Sequence, residues 1–282
     1  MESTKLGRPV IVRFVPSSSM RASRLVRAVT SKDIGPTTSS ILLKKSKTKP
    51  TIELREYKLQ PAKVDEYLKQ TAASADLRKS MLPLKLFTMP DTGGLLNCAT
   101  HLYCYHDNTE RDKKRKKCGQ NEEWKEYLGN VRPFMEEQKS TLYFEADLCH
   151  DTTGESLMTS LAAHENDLKP GKDPIIEYRR YQLTLGYDAV PKFLEIYERG
   201  VRCKLENIHH STELLSVIYS DVGKINEVIE IWRHGDGIGA MNESRIKARA
   251  AFDWTTAVTS LVPLATSFTN TIHKPTNFSP FQ

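Results

Sequence analysis

The sequence lacks the long apolar run that a membrane-spanning helix requires. Its longest apolar stretch, residues 256–265, is interrupted by Thr, Ser and Pro and falls short of the roughly 18 consecutive apolar residues needed. The five cysteines are an odd number, widely spaced, and form no Cys-x-x-Cys pair, which argues against a disulfide framework and a zinc knuckle. The 282 residues, 39% of them hydrophobic, are enough to bury one large core or two small ones.

Acidic residues are scarce at the start of the chain. Residues 1–50 contain eleven Lys or Arg against only Glu2 and Asp33, a net charge of +9, which leaves the other 232 residues at −3. On a helical wheel, an apolar face around residues 22–29 opposes Arg24 and Arg27, and no secretory apolar core of about 7–15 residues is present. This pattern predicts a mitochondrial transit peptide. The alternative is a disordered basic arm that stays attached and binds RNA or anionic lipid.

The chain also repeats itself. The motif Glu-x-Arg-x-Tyr occurs within residues 52–57 and again within residues 176–181, at an offset of 124. Three further matches follow in the same order at offsets of 126, 129 and 130. They are an apolar helical stripe, a Gly-x-x-Asn turn six residues before an aromatic residue, and a Trp nine residues before a Pro. Four ordered matches with slowly growing offsets indicate an internal duplication.

The residue pattern of each copy predicts the order strand, helix, strand, strand, helix, strand, which is the order of elements in the ferredoxin-like unit. One such sheet leaves a face uncovered, so we expect two copies to pack sheet against sheet with helices outside. The predicted class is α+β, with two tandem ferredoxin-like modules forming an intrachain dimeric α/β barrel. The predicted boundaries are 1–50 for the transit peptide or basic arm, 51–149 for the first module, 150–174 for the linker and 175–282 for the second module with its tail. The last strand of the first module is expected at 141–148, and a short helix in the linker at 157–166.

The first strand of each copy has a polar face. By two-residue alternation, one set comprises Glu53, Arg55 and Tyr57, and the other comprises Glu177, Arg179 and Tyr181. If these faces lined the space between the sheets, the two sets would converge on a pseudo-twofold axis and could bind a small polar ligand. The alternative is that each Glu pairs with its Arg and fixes the register of the modules. The equal composition of the two sets favours pairing, because catalysis usually needs carboxylates in unlike environments.

A basic run could contact an anionic partner. Residues 111–117 contain six basic side chains: Arg111, Lys113, Lys114, Arg115, Lys116 and Lys117. Such a density attracts anionic lipid head groups or RNA phosphates, but no aromatic residues for base stacking are interleaved with it. The alternative is an ordinary solvated helix face.

The histidine and glycine motifs point to no definite chemistry. The pair His209–His210 has no second ligand set at a characteristic spacing, and residues 235–239 lack the spacing of a dinucleotide-binding loop. Asp236 is expected to cap the helix that follows. The sequence therefore predicts no metal, no cofactor and no catalytic residue.

Taken together, these residues resemble the NIPSNAP family. The resemblance rests on the Glu-x-Arg-x-Tyr strand, the Gly-x-x-Asn turn leading to residues 229–234, and the carboxy-terminal segment Thr276–Pro280, and it covers roughly 50–282. Residues 101–105 replace the family's usual Trp-containing strand, and a Lys-rich insertion follows them, so the resemblance is to a distant member.

The resemblance implies tandem dimeric α/β barrels, a mitochondrial address and proposed roles in protein interaction, vesicle-related trafficking and mitophagy signalling. It implies no agreed catalytic residues. We therefore expect a non-catalytic protein of the mitochondrial matrix or inner-membrane surface that acts as an adaptor or scaffold for other mitochondrial proteins. Two alternatives stay open: an accessory subunit of a respiratory complex or ribosome, and a monooxygenase-like or ligand-binding barrel, the latter by analogy of fold alone.

Overall fold

The computed structural model describes residues 49–148, 150 and 154–282, which contain eight strands. These are β1 (Thr51–Leu59), β2 (Leu84–Thr92), β3 (Cys98–Tyr105), β4 (Met135–Glu145), β5 (Ile175–Leu183), β6 (Thr212–Val222), β7 (Glu227–His234) and β8 (Ala265–Pro275). They close into a barrel in the order β1–β3–β2–β8–β5–β7–β6–β4, with β4 pairing back onto β1. Every pairing is antiparallel.

Within the same ranges, seven α-helices lie between the strands. They are α1 (Val64–Ala73), α2 (Ala75–Met81), α3 (Asn108–Gln120), α4 (Glu122–Val131), α5 (Ala189–Glu206), α6 (Gly237–Ala250) and α7 (Phe252–Leu261). The order of elements confirms two ferredoxin-like modules, the first built from β1–β4 and the second from β5–β8. Within the described ranges, no helix is both long enough and apolar enough to cross a membrane.

The alternation along each strand separates the barrel interior from its outer surface. Ile52 and Leu54 of β1 point inward with Ile176 and Tyr178 of β5. Strands β1–β7 all contribute to this interior cluster, which contains Ile52, Leu54, Leu86, Leu102, Tyr143, Ile176, Tyr178, Leu215, Ile218, Ile229 and Ile231. The apolar face of each first strand therefore fills the barrel, and its polar face points outward.

The helices cover the outer surface and form a separate apolar layer in each module. In α5, Phe193, Tyr197 and Val201 recur at helical spacing and are fully buried against the sheet. Gly200 brings α5 close to α7, because a Cβ atom at this position would lie 2.4 Å from the Cβ of Ala257. The two helices thus pack at a distance that no larger side chain permits.

Two short seams join the modules, and two segments close one end of the barrel. The β2–β8 and β4–β6 pairings contain four residue pairs each. Leu161 of the linker and Phe281 near the carboxy terminus both insert into the interior cluster, where they are almost completely buried. The linker is therefore anchored to the barrel at Leu161 rather than being a free spacer.

Several predicted boundaries were wrong. The last strand of the first module is residues 135–145 rather than 141–148; residues 136–140 are exposed, and their polar sequence hid the strand. The linker holds a 3₁₀ turn at Glu165–Asp167 instead of a helix at 157–166. The helices predicted near 61–78, 109–133 and 237–260 are each divided in two, at Ser74, Asn121 and Ala251, whereas the helix predicted near 188–206 is confirmed as the single helix α5. The predicted targeting segment, 1–50, lies almost wholly outside the described residues, as does Cys149.

Candidate functional site

The predicted polar faces do not meet between the sheets. Glu53 and Glu177 point to the outer surface of the barrel, each beneath the helices of its own module. The predicted convergence on a pseudo-twofold axis is therefore wrong, because the apolar faces of β1 and β5 occupy the interior instead. The Glu–Arg pairs themselves are present: Arg55 Nε lies 3.0 Å from Glu53 Oε1, and Arg179 Nε lies 2.8 Å from Glu177 Oε1.

Each buried glutamate holds a helix on the sheet. Glu177 Oε1 accepts hydrogen bonds from Arg245 of α6 at 2.7 Å and Asn270 of β8 at 2.8 Å, and its Oε2 lies 3.1 Å from His234 Nε2. Glu53 occupies the same place in the first module. It accepts bonds from Arg111 at 2.8 Å and Arg115 at 3.2 Å, both in α3, and from Ser140 and Tyr105.

These contacts keep both carboxyl groups ionised. Burial alone would raise the pKa of Glu177, but its bond with His234 and the charges of Arg179 and Arg245 outweigh burial and hold that pKa well below the ordinary value. The same balance lowers the pKa of Glu53, where Arg111 and Arg55 oppose burial. Neither group can supply a proton near neutral pH.

The second module has a further buried pair that the sequence analysis missed. Lys204 of α5 and Glu230 of β7 are 5% and 0% exposed, and Lys204 Nζ lies 3.6 Å from Glu230 Oε2, beyond hydrogen-bond distance. Glu230 instead accepts bonds from Tyr181 at 2.6 Å and from the indole nitrogen of Trp232 at 2.5 Å. Among the described residues, no atom accepts a hydrogen bond from the ammonium group of Lys204. Its N–H groups are therefore available to donate to another molecule.

Two indole rings surround this ammonium group. Lys204 Nζ lies 3.8 Å from the ring centre of Trp232 and 4.4 Å from that of Trp254. Burial and the nearby charge of Arg179 lower the pKa of Lys204 to about 7, although Glu230 opposes them. A small change in the surroundings of Lys204 is thus enough to change its charge.

Lys204 faces a cavity of about 560 Å³ between the sheet and helices α5–α7. One wall is apolar and is formed by Ile208, Ala248, Trp254, Val258, Leu261, Val262 and Phe268. The other end carries Glu177 and the cationic groups Arg179, Lys204, Arg245 and Arg249. Since Arg249 forms no ion pair with any described residue, positive charge is in excess at this end.

The first module has a cavity of about 540 Å³ in the same place but with different chemistry. At the positions of Lys204, Glu230 and Trp232 in the repeat, it carries Arg78, His101 and Tyr103. Arg78 donates to the hydroxyl groups of Tyr103 and Tyr127, and His101 bonds to Tyr103 at 2.9 Å. Arg78 Nε and His101 Nε2 find no hydrogen-bond partner among the described residues, but both terminal nitrogens of Arg78 are bonded to tyrosine hydroxyls, so this cavity presents no buried ammonium group of the Lys204 kind.

The basic run forms α3 but is not a single exposed patch. Arg111 and Arg115 turn toward Glu53, while Lys114 and Lys116 pair along the helix with Glu110 and Asp112 at 3.5 and 2.8 Å. Within the described part of the chain, Lys113 and Lys117 form no ion pair. Two of the six cationic groups predicted to contact lipid or RNA, Arg111 and Arg115, are thus paired with Glu53 inside the fold.

The loop at Gly235–Gly239 also differs from expectation. Asp236 occupies the N-cap position of α6, but its side chain does not cap the helix and accepts a bond from the backbone of Lys172 at 3.3 Å. The loop lies beside His209 and His210, which precede β6. The fold thus brings a carboxylate to the histidine pair from 26 residues further along the chain.

The closed barrel of two ferredoxin-like modules, with cavities beneath its outer helices, defines a dimeric α/β-barrel protein contained in one chain. The NIPSNAP sequence profile matches residues 52–150 and 176–280. The chain therefore belongs to the NIPSNAP family, and both modules match its profile.

Similar proteins agree with this assignment. Protein NipSnap homolog 3A of Homo sapiens is 24% identical over 263 residues, which cover 92% of this chain and 98% of the human protein. Protein NipSnap homolog 3B of Mus musculus is 25% identical over 238 residues, covering 82% and 85%. At these identities the chain is a distant member. A putative monooxygenase of Fusobacterium nucleatum has a similar fold, with a TM-score of 0.58, 11% identity, and coverage of 82% of this chain and 94% of its own.

Proposed function

We propose that this protein is a non-catalytic binding protein that takes a small amphipathic anion into the cavity of its second module. The observation that carries the proposal is the cavity itself, whose apolar wall faces a cationic end with an available ammonium group. Its volume falls in the range of small-molecule sites, and a few convergent polar groups in an apolar cleft are typical of such sites. An alkyl chain would contact the wall, and a carboxylate would lie beside Lys204.

Binding is favoured over catalysis by the state of the carboxyl groups. Interactions with neighbouring cations and donors lower the pKa values of Glu177 and Glu230 despite burial, so neither is available as a general acid near neutral pH. Among the described groups that line the cavity, Lys204 has a pKa of about 7. Its ammonium form suits the recognition of an anion.

Lys204 gives this proposal a direct test with decanoate as the probe. Binding of decanoate should change the fluorescence of Trp232 and Trp254, which line the cavity. The double variant Lys204→Met/Glu230→Gln removes both charges of the buried pair and should weaken binding about 10- to 100-fold, the effect of losing a hydrogen bond to a charged group. Binding should also be tighter at about pH 6 than at about pH 8, because the ammonium form is lost as pH rises through the pKa of Lys204.

Lys125→Met is the matched control, because Lys125 lines the cavity of the first module. This variant should bind decanoate as the native chain does, and decanol should bind more weakly than decanoate. Equal affinity of the double variant and the native chain would contradict the proposal.

The same proposal places the protein in mitochondria, at the matrix or inner membrane, where it acts as an adaptor or scaffold for other proteins. What supports this location is the Arg-rich, acid-poor composition of residues 1–50. Affinity purification from isolated mitochondria would identify the partners. Co-migration with a very large complex on a native gel would favour the role of accessory subunit instead.

Import into mitochondria should depend on the basic face of the amino-terminal segment. A reporter fused to residues 1–50 should enter isolated mitochondria, and replacing Arg21, Arg24 and Arg27 by Glu should abolish import, because the basic charge of the segment is reversed there. The control replaces Lys44, Lys45 and Lys47 by Glu, outside the amphipathic face, and should reduce import less. Import that survives the triple Arg change would rule out this role of the face.

A further inference from the structure

A cluster of metal-binding side chains lies outside the cavity, on the surface of the second module. His209 and His210 precede β6, and Asp236 precedes α6. One donor atom from each residue lies within 4.8 Å of the other two. Asp236 Oδ2 is 3.8 Å from His210 Nε2, and Glu243 Oε2 of α6 is 3.8 Å from His209 Nε2. Two imidazoles and one carboxylate thus surround one point, and the Glu243 carboxylate lies beside His209.

Bonds outside the cluster orient two of these groups. The Nδ1 atom of His209 lies 2.9 Å from the hydroxyl of Ser211, and the same hydroxyl accepts a bond from the backbone amide of Asp236 at 3.1 Å. Asp236 Oδ1 is held by the amide of Lys172. These contacts leave His209 Nε2 and Asp236 Oδ2 facing the cluster, and such outer contacts are typical of metal-binding histidines.

The backbone around Asp236 is also fixed. A Cβ atom at Gly235 would lie 2.9 Å from the carbonyl oxygen of Pro170, and Gly237 has a φ of +71°, in the region that favours glycine. The carboxylate therefore approaches the histidines on a loop with little freedom to move away. In contrast, His210 is 81% exposed and can turn toward an ion.

We propose that His209, His210 and Asp236 bind a divalent transition-metal ion of the zinc class, with Glu243 or water as the fourth ligand. A mixture of imidazole nitrogen and carboxylate oxygen suits Zn²⁺, whereas Mg²⁺ and Ca²⁺ prefer oxygen alone. Metal–ligand distances of roughly 2.0–2.2 Å require the donors to move together by only a small amount. In the metal-bound form, His209 Nδ1 carries the proton and donates it to the hydroxyl of Ser211. The 3.2 Å hydrogen bond that Nδ1 accepts from the backbone amide of Ser211 is then lost.

The ion would join the segment before β6 to α6, which forms a wall of the cavity. The backbone amide of His209 already donates to Ser244 of α6 at 2.9 Å. Ser244 lies 3.0 Å from Thr212, whose hydroxyl is 3.0 Å from His234 Nδ1. Since His234 bonds to Glu177, the metal site and the cavity share one hydrogen-bonded network. The site itself does not depend on a ligand in the cavity.

Calorimetric titration with Zn²⁺ tests the proposal on the full chain, purified without a polyhistidine tag and freed of metal by EDTA and dialysis. The native chain should bind one Zn²⁺ per chain, and Mg²⁺ should give no binding. His210→Ala and Asp236→Asn change exposed side chains, so we expect both variants to fold. Each should weaken Zn²⁺ binding about tenfold or more.

His106→Ala is the matched control. His106 is also exposed, lies 3.2 Å from a carboxylate, and precedes α3 as Asp236 precedes α6, but no second histidine is adjacent to it in the sequence. This variant should bind Zn²⁺ as the native chain does. Zn²⁺ should also raise the unfolding temperature of the native chain and of His106→Ala, and leave that of the other two variants nearly unchanged. The absence of stoichiometric binding, or native affinity in His210→Ala and Asp236→Asn, would overturn the proposal.

Discussion

Replacing Glu177 by Gln should lower the free energy of unfolding by about 3–5 kcal/mol, the cost of breaking a buried ion pair by removing one partner. Glu177 is 1% exposed and pairs with both Arg179 and Arg245. Its loss leaves two guanidinium groups beneath the helices without their carboxylate. Arg179→Ala should cost less, because Arg245, Asn270 and His234 still hold Glu177.

The effect should also depend on pH in one direction. The pKa of Glu177 is lower in the folded protein than its ordinary value of 4.5. The carboxylate therefore contributes stability above about pH 4.5, and this contribution is lost as pH falls toward the folded-state pKa. Stability of the native chain should decline below that point more steeply than stability of Glu177→Gln.

Chemical denaturation followed by circular dichroism would measure both effects. Glu137→Gln is the matched control, since Glu137 is exposed on β4 and pairs only at the surface with Lys139. This change should alter stability by less than about 1 kcal/mol. A loss for Glu177→Gln no larger than that of the control would contradict the role of Glu177 in holding α6 on the sheet.

Phe193→Ala should also cost about 3–5 kcal/mol, as expected for removal of a buried aromatic ring. Phe193 is 0% exposed, stacks on Tyr197 with ring centres 5.8 Å apart, and contacts Tyr181 at 5.0 Å. The closely packed pair α5 and α7 limits collapse around the hole. Tyr187→Ala, a change at a fully exposed aromatic residue, is the control and should have little effect.

A smaller change at the matching position of the first module should not destabilise the protein. Tyr67 is the counterpart of Phe193 in the repeat and is equally buried, but its hydroxyl finds no hydrogen-bond partner among the described residues. Tyr67→Phe removes this unsatisfied group and should leave stability unchanged or raise it by about 1–3 kcal/mol. Denaturation curves of the two variants would check both directions. A destabilised Tyr67→Phe would show that the hydroxyl is bonded in solution.

The order of elements could be predicted from sequence because it depends on local patterns that occur twice. The Glu-x-Arg-x-Tyr motif predicted the first strand of both modules, and the apolar stripe that contains Phe193 predicted a helix in both. The direction of the polar faces could not be predicted, because alternation shows that two faces differ but not which one the helices cover. Likewise, the burial of Leu161 depends on contacts between distant segments.

The sites were harder to predict for the same reason. Lys204 continues the buried stripe of Phe193, Tyr197 and Val201 three residues further on, and a charge at an apolar position was the available signal. Glu230 was a second such signal, because it is a charged residue between two isoleucines of a buried strand. Asp236 and His210 had no such signal, because a turn of the tertiary fold alone brings them together.

The two short seams between the modules have a consequence for how such a protein evolves. Either half alone would have two unpaired edge strands, so a single half could persist only by pairing with a copy of itself. In a symmetric assembly of that kind, every substitution appears in both cavities at once. A fused chain removes this constraint, because its two halves can change independently. Lys204 in the second module and Arg78 at the matching position of the first are an example of such a difference. Each half of the molecule can thus acquire its own specificity while the other half maintains the shared scaffold.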